Sequence, residues 1–193
     1  MLNRAKYSSL SVAGGLKLCL LLLLISAAPF EASSQAPATA PHEAMRKLEF
    51  LVGEWKGKGW RYVYGGSRVE FSQNTKVRSE SDGSALQIKD VRKYKDNGLL
   101  SSLAAPSATA NIYYDEGGKL YRVRRDSSEG RKNPFAAKLV ESKSFQWEQP
   151  TPAGNIRTTI KIIESGEWHE TVEFWMGEEG WYKAEESVLK RIK

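Results

Sequence analysis

From residue 52 to the C-terminus the apolar residues of this chain recur at every second position, in short runs separated by glycine-bearing turns. Val69, Phe71, Gln73, Thr75 and Val77 alternate with Arg68, Glu70, Ser72, Asn74, Lys76 and Arg78, and Ile156, Thr158, Ile160 and Ile162 alternate with Arg157, Thr159 and Lys161. Turn signals fall at Gly65-Gly66, Asp82-Gly83, Asn97-Gly98, Gly117-Gly118, Gly154-Asn155, Ser165-Gly166 and Glu179-Gly180. A period of two puts successive side chains on opposite faces of a strand. Each run therefore makes a strand with one greasy and one wet face, and the tight connections string the strands into an antiparallel meander. About ten strands are expected from these signals, with cores at 53–64, 68–79, 84–94, 109–115, 119–125, 137–141, 144–149, 155–163, 167–176 and 181–191.

Such strands must hide both their apolar faces and their edges, by stacking two sheets or by closing into a barrel. A sandwich of the immunoglobulin type needs long crossing connections, and only Lys95 to Ala108 and Asp126 to Ala136 are long here. The fold class is thus all-β, an antiparallel up-and-down barrel, with the sandwich as its rival. Before it, Met45, Leu48 and Leu51 or Val52 stand three to four residues apart after Pro41, the pattern of a short amphipathic capping helix over Pro41 to Leu51. A barrel of this strand number is wider than the roughly eight strands whose side chains just fill the interior, so it has room for a guest. The inward positions Val69, Phe71, Val77, Tyr121 and Phe145, with Trp147, Ile160, Trp168 and Phe174, give that lumen a greasy lining. Leu99, Leu100 and Leu103, in the longest loop, are candidates for a lid over one mouth or for packing on the outer wall.

The N-terminus reads differently. Arg4, Lys6 and Lys17 precede an unbroken apolar run from Leu18 to Ile25, followed by Ser26, Ala27 and Ala28. That order is a secretory signal peptide, too short for a membrane-spanning helix. Residues 1–34 are read as this signal and the start of a linker, with cleavage between 28 and 34. Residues 35–41 form a polar linker and 42–193 the barrel domain, with no stable membrane insertion after signal removal. Secretion or a periplasmic location follows. The one cysteine, Cys19, lies in the signal, so the mature domain has no disulfide, thiolate metal site or cysteine nucleophile. The net charge of +6 is interleaved rather than striped, which excludes a nucleic-acid footprint. An exception is Arg122, Arg124, Arg125, Arg131 and Lys132, an anion-binding patch or simply a solvated face.

Leu48-Glu49-Phe50-Leu51-Val52-Gly53-Glu54-Trp55 sets a helix end directly before a Gly-x-Trp on the first strand. This resembles the calycin superfamily. The resemblance implies that Gly53 and Trp55 close the bottom of a lipocalin-like barrel and that a cation near the end of the last strand, Arg191 in preference to Lys190, packs across the tryptophan. A planar guanidinium stacks well on such a ring. With Trp175-Met176-Gly177 and Gly180-Trp181-Tyr182, the opening motif is similar to a bacterial lipocalin-like secreted family of unknown function, over about residues 43 to 192. Gly53, Trp55, Gly57 and Gly59 also resemble the opening of the nitrobindin-type haem-binding barrels, but the run continues Trp60-Arg61-Tyr62-Val63 where those have a further glycine and a proline.

The resemblance to haem-binding barrels implies a histidine from the barrel on the iron, and the sequence has only His42 and His169. His42 precedes the barrel. His169 alternates with Trp168, Glu170, Val172, Phe174 and Met176, a phase that points it to water unless a bulge intervenes. Two distant histidines make no metal shell, and no nucleophile elbow or phosphate loop is present, so no catalytic motif is found and no cofactor or metal is expected. Glu170 shares the lumen face, where burial would raise its pKa unless it sits at the wet mouth or pairs with a lumen arginine. Glu185-Glu186 and Glu178-Glu179 are read as exposed charges. Three functions remain: non-covalent binding of a small hydrophobic molecule in the lumen, a haem protein with His169 as axial ligand, or an envelope module using the basic patch.

Overall fold

The computed structural model describes residues 40–63, 66–95, 107–127, 130–131 and 133–193, with the side chains of 127, 130 and 131 left aside. The signal segment, most of the linker and the leucines of the 96–106 loop lie outside the described residues, and so does Lys132.

The elements are α1 (Ala40–Arg46), a 3-10 turn (Glu49–Leu51), β1 (Gly53–Tyr62), β2 (Arg68–Ser79), β3 (Ala85–Tyr94), β4 (Ser107–Asp115), β5 (Leu120–Ser127) and the two-residue β6 (Gly130–Arg131). β7 (Phe135–Glu141), β8 (Ser144–Thr151), β9 (Gly154–Ile162), β10 (Trp168–Trp175), a second 3-10 turn (Gly177–Glu179) and β11 (Trp181–Arg191) follow. The sheet order is β4-β3-β2-β1-β11-β10-β9-β8-β7-β5, and a β4–β5 pairing joins its ends. The ring is therefore a closed ten-stranded antiparallel barrel, with β6 paired only to β5. Closure, not a second sheet, removes the edges.

The opening helix is shorter than its apolar spacing implies. It stops at Arg46, after which Leu51 and Val52 hydrogen-bond to Leu48 and Glu49 in a 3-10 turn. α1 starts at Ala40, one residue before the Pro41 at which the helix was expected to begin. Ala44, Met45, Leu48 and Leu51 all turn into the barrel and plug one end. Tyr121 Oη donates to the Ala44 carbonyl oxygen (2.8 Å), tying the plug to the wall.

Two glycines of the opening motif have a steric reason. A Cβ on Gly57 would lie 2.0 Å from the Val188 carbonyl oxygen, and one on Gly59 would lie 2.5 Å from the Phe71 ring. β1 can approach β11 and admit Phe71 only where the inward side chain is missing. Trp55 is buried and tilts against Trp168 with ring centroids 5.4 Å apart, while its Nε1 donates to the Leu51 carbonyl oxygen (2.9 Å). The Arg191 guanidinium lies 4.1 Å over the Trp55 ring and donates to the carbonyl oxygens of Phe50 (2.9 Å) and Val52. It fastens the end of the last strand to the start of the first.

Candidate functional site

Strand register divides the lumen along its axis. At the plugged end, Trp55, Val77, Ile88, Ile112, Val123, Phe145, Ile160, Trp168 and Leu189 form one apolar core. One step further from the plug the inward positions turn polar: Leu189 gives way to Ser187 and Glu185 on β11, Trp168 to Glu170 on β10, Val77 to Thr75 and Gln73 on β2, and Ile88 to Asp90 and Arg92 on β3. Of this layer, Asp90, Arg92, Glu170 and Glu185 form the floor of a cavity of about 630 Å³ at the unplugged end. The cavity walls carry Tyr62, Tyr94, Phe135, Ile156, Val172 and Phe174.

Arg92 is the centre of the floor. Its Nε donates to Asp90 Oδ2 (2.7 Å), one terminal nitrogen to Glu185 and the other to Glu170 Oε1 (3.4 Å), and its guanidinium carbon sits 5.0 Å from the Phe71 ring centre. Glu170 Oε2 also accepts from Gln73 Nε2 (3.2 Å) and Trp168 Nε1 (3.3 Å). Thr75 donates to Asp90 Oδ1 (2.9 Å) and accepts from Gln73 Nε2 (3.1 Å). Arg61 reaches in from β1, its Nε 3.7 Å from Glu185 and one terminal nitrogen donating to Tyr94 Oη (3.2 Å).

Burial pushes the carboxyls of Asp90 and Glu185 up. Arg92 opposes the rise in both, and the neighbouring Glu170 charge adds to it. For Arg92 burial works against the charge, yet Glu170, Glu185 and Asp90 outweigh it and hold the guanidinium firmly protonated.

Of the residues singled out in the sequence, Glu170 and Phe174 line the cavity. Phe71, Val77, Tyr121, Phe145, Trp147, Ile160 and Trp168 are all buried, but none of them lines it: they fill the barrel beneath or beside it, and Val69 is buried near the rim of β2. The greasy lining expected of the lumen is thus largely solid core. Gly53, Trp55 and Arg191 come together at the plugged end. His169 stands on the face of β10 opposite Trp168 and Glu170 and is absent from the cavity wall, as its phase indicated; His42 Nε2 donates to the Asp82 carbonyl oxygen (2.7 Å). The described arginines of the basic patch do not share a face. Arg125 enters the cavity wall in phase with Tyr121 and Val123, whereas Arg122 faces the other way and pairs with Asp115 (3.1 Å). Among the described residues no cluster of histidine, cysteine or carboxylate side chains could hold a metal ion.

Glu185 corrects the sequence reading. It was expected at the surface beside Glu186, yet it is 5% exposed and faces the floor. Glu185 alternates regularly with inward Ser187 and Leu189, and only the phase from the Trp181 side is broken, by a bulge on β11: Val172 pairs with Glu185 but Glu173 pairs with Lys183, leaving Ala184 as the extra residue. The bulge resets the phase, so Ala184 and Glu185 are both buried and Lys183 and Glu186 both face outwards, joined as an ion pair (2.8 Å). Arg92 and Asp90 went unnoticed for a related reason. They stand among apolar inward positions on β3, and alternation alone does not flag a charge whose partners lie on other strands.

No protein-family model matches the sequence, and no curated protein matches it. The barrel is similar to the solved structure of Rv2717c from M. tuberculosis, with a TM-score of 0.54 and 13% identity over 78% of this chain and 98% of that one. It is also similar to the S-type phycobiliprotein lyase CPES from Guillardia theta, with a TM-score of 0.53 and 12% identity over 79% of this chain and 92% of that one. Both likenesses are of the fold, a closed antiparallel barrel. At such identities the likeness speaks for the fold alone.

Proposed function

We propose that this protein is a secreted or periplasmic carrier that holds a small, largely hydrophobic molecule without covalent chemistry in the cavity at the unplugged end of its barrel. The observation behind this reading is the 630 Å³ space with Tyr62, Phe135, Ile156, Val172 and Phe174 on its walls and a hydrogen-bonding floor. That size and that mixture of apolar wall with a few convergent polar groups suit a small-molecule pocket. The same fold in a phycobiliprotein lyase is compatible with the reading. Secretion rests on the apolar run from Leu18 to Ile25 with its basic residues before it and small residues after it.

The test is to produce the full chain through a secretion pathway, determine the N-terminus of the exported protein, and extract it with organic solvent for mass spectrometry. A discrete small molecule retained by the wild type and lost from Ala108→Trp, which fills the cavity from β4, supports the reading. An empty extract, together with a neutral apolar dye that binds the two proteins equally, would sink it.

A further inference from the structure

The floor of the cavity carries more negative than positive charge, and its geometry says which end of a ligand it can receive. Three carboxylates, Asp90, Glu170 and Glu185, converge on Arg92. The other cation within reach is Arg61, whose side chain is 36% exposed and 3.7 Å from Glu185, too far for a hydrogen bond. Arg125 also points into the cavity from β5, whereas Asp126 beside it is exposed and accepts from Asn111 Nδ2 (3.3 Å). With every carboxyl ionised the floor itself holds three acids, Asp90, Glu170 and Glu185, against two arginines, Arg92 and Arg61.

Beneath the floor the layer also holds polar groups without partners. Gln73 is 1% exposed and its amide nitrogen is spent on Glu170 and Thr75, while its Oε1 has no partner; the Ser187 hydroxyl, equally buried, has none either. Arg61 Nε lacks a bond as well, but its charge is already on the positive side of the count. Arg92 has a carboxylate at each of its three nitrogens, so it presents no vacant fork to an incoming anion. A buried anion would add to an existing excess, whereas a cation would cancel it and supply hydrogen-bond donors.

We infer that the molecule held in this cavity is a cationic amphiphile, an amine or related donor-rich cation, seated with its charged head on the Asp90, Glu170 and Glu185 carboxylates and its apolar body along Ile156, Val172 and Phe174. The inference rests on the carrier reading and specifies its ligand. Burial disfavours the charged forms of Asp90 and Glu185, and a cation set against them offsets that cost. The charged groups that face the cavity are Arg61 from β1, Asp90 and Arg92 from β3, Arg125 from β5, Glu170 from β10 and Glu185 from β11.

The test uses three probes of one chain length, decylamine, decanol and decanoate, titrated calorimetrically into the exported protein at pH 7.5. Expected is an amine at least ten-fold tighter than the alcohol, and a carboxylate weaker than both. In Glu185→Gln, and separately in Glu170→Gln, the amine-to-alcohol ratio falls towards one, with folding checked by circular dichroism. Decanoate binding as tightly as the amine, or amine and alcohol binding alike, overturns the inference and leaves the carrier reading standing. Failure of all three probes, with decanol unaffected by Ala108→Trp because it never bound, removes both.

Discussion

The two ends of this barrel are built by the same strands with the same alternation, yet one is solid and the other hollow. On β10 the change takes two residues: Trp168 is packed against Trp55 in the dry half, and Glu170 accepts from Trp168 Nε1 while bonding to Arg92 in the polar floor. The dry half is held by apolar area and a helical plug. In the other half, ionic groups have been moved out of water and share too few counter-charges. A period of two decides which side chains point inwards, but only their chemistry decides whether the interior is filled or left open.

The contrast is broken most severely from the dry side. Phe145 is fully buried between Tyr121 and Trp147, with ring centroids 5.6 and 6.0 Å away. Phe145→Ala is expected to cost about 4 kcal/mol of stability, read from the urea midpoint, while the folded fraction keeps its affinity for a cavity probe. A fall in affinity as large as the fall in stability would mean that the halves are not separable. From the other side, Arg92→Met leaves three carboxylates without their shared guanidinium and is expected to cost about 3 kcal/mol at pH 7.5. Its signature is pH dependence. Asp90 and Glu185 titrate above the ordinary carboxylate range because they are buried, so charging them disfavours the folded state and stability falls as pH rises through their folded values. Without Arg92 that fall steepens, and acidification from pH 7.5 to 5 should recover much of the loss. A deficit independent of pH would show that Arg92 acts by packing on Phe71 and not by charge.

The sequence disclosed the two halves unequally. Alternation and turn spacing were sufficient for a closed antiparallel wall, and the Gly-x-Trp opening placed Trp55 and Arg191 together, because both signals are local: each is carried by neighbouring residues or by a motif with one steric purpose. The cavity is not local. Phe71 and Phe145 are inward and apolar, as read, but whether they bound a space or fill it depends on which residues face them from strands far away in sequence. Glu185 is in phase with Ser187 and Leu189, but the Ala184 bulge masks that phase when β11 is read from Trp181, and Arg92 shares its inward phase with Leu86 and Ile88. Glu170 was legible because a lone carboxylate on an apolar face is anomalous by itself.

A milder perturbation separates the closing latch from the core it covers. Arg191→Ala removes the cation over Trp55 and two bonds to carbonyl oxygens that lie near solvent, with an expected cost of about 1–2 kcal/mol in the urea midpoint. Arg191→Lys should recover part of it, since the charge returns without the planar fork. If Arg191→Ala matched Phe145→Ala, the latch and not the apolar fill would be the principal support of the dry half.

The smallest expected change is the most discriminating. Removing one member of a buried ion pair ordinarily destabilises, since the other charge is left alone. Glu185→Gln should not, because Arg92 retains Asp90 and Glu170, and the floor loses an acid it held in excess. Glutamine keeps the shape and can still accept from Arg92. The expected shift at pH 7.5 is within about 1 kcal/mol of zero, and the dependence of stability on pH should flatten, since Glu185 no longer has a proton to lose as pH rises through its elevated value. A loss of about 3 kcal/mol or more, of the kind a balanced buried pair shows, would mean that Arg61 and Arg92 together already neutralise the floor. The open half would then be as self-sufficient as the closed one, and its charge would give no direction to a ligand.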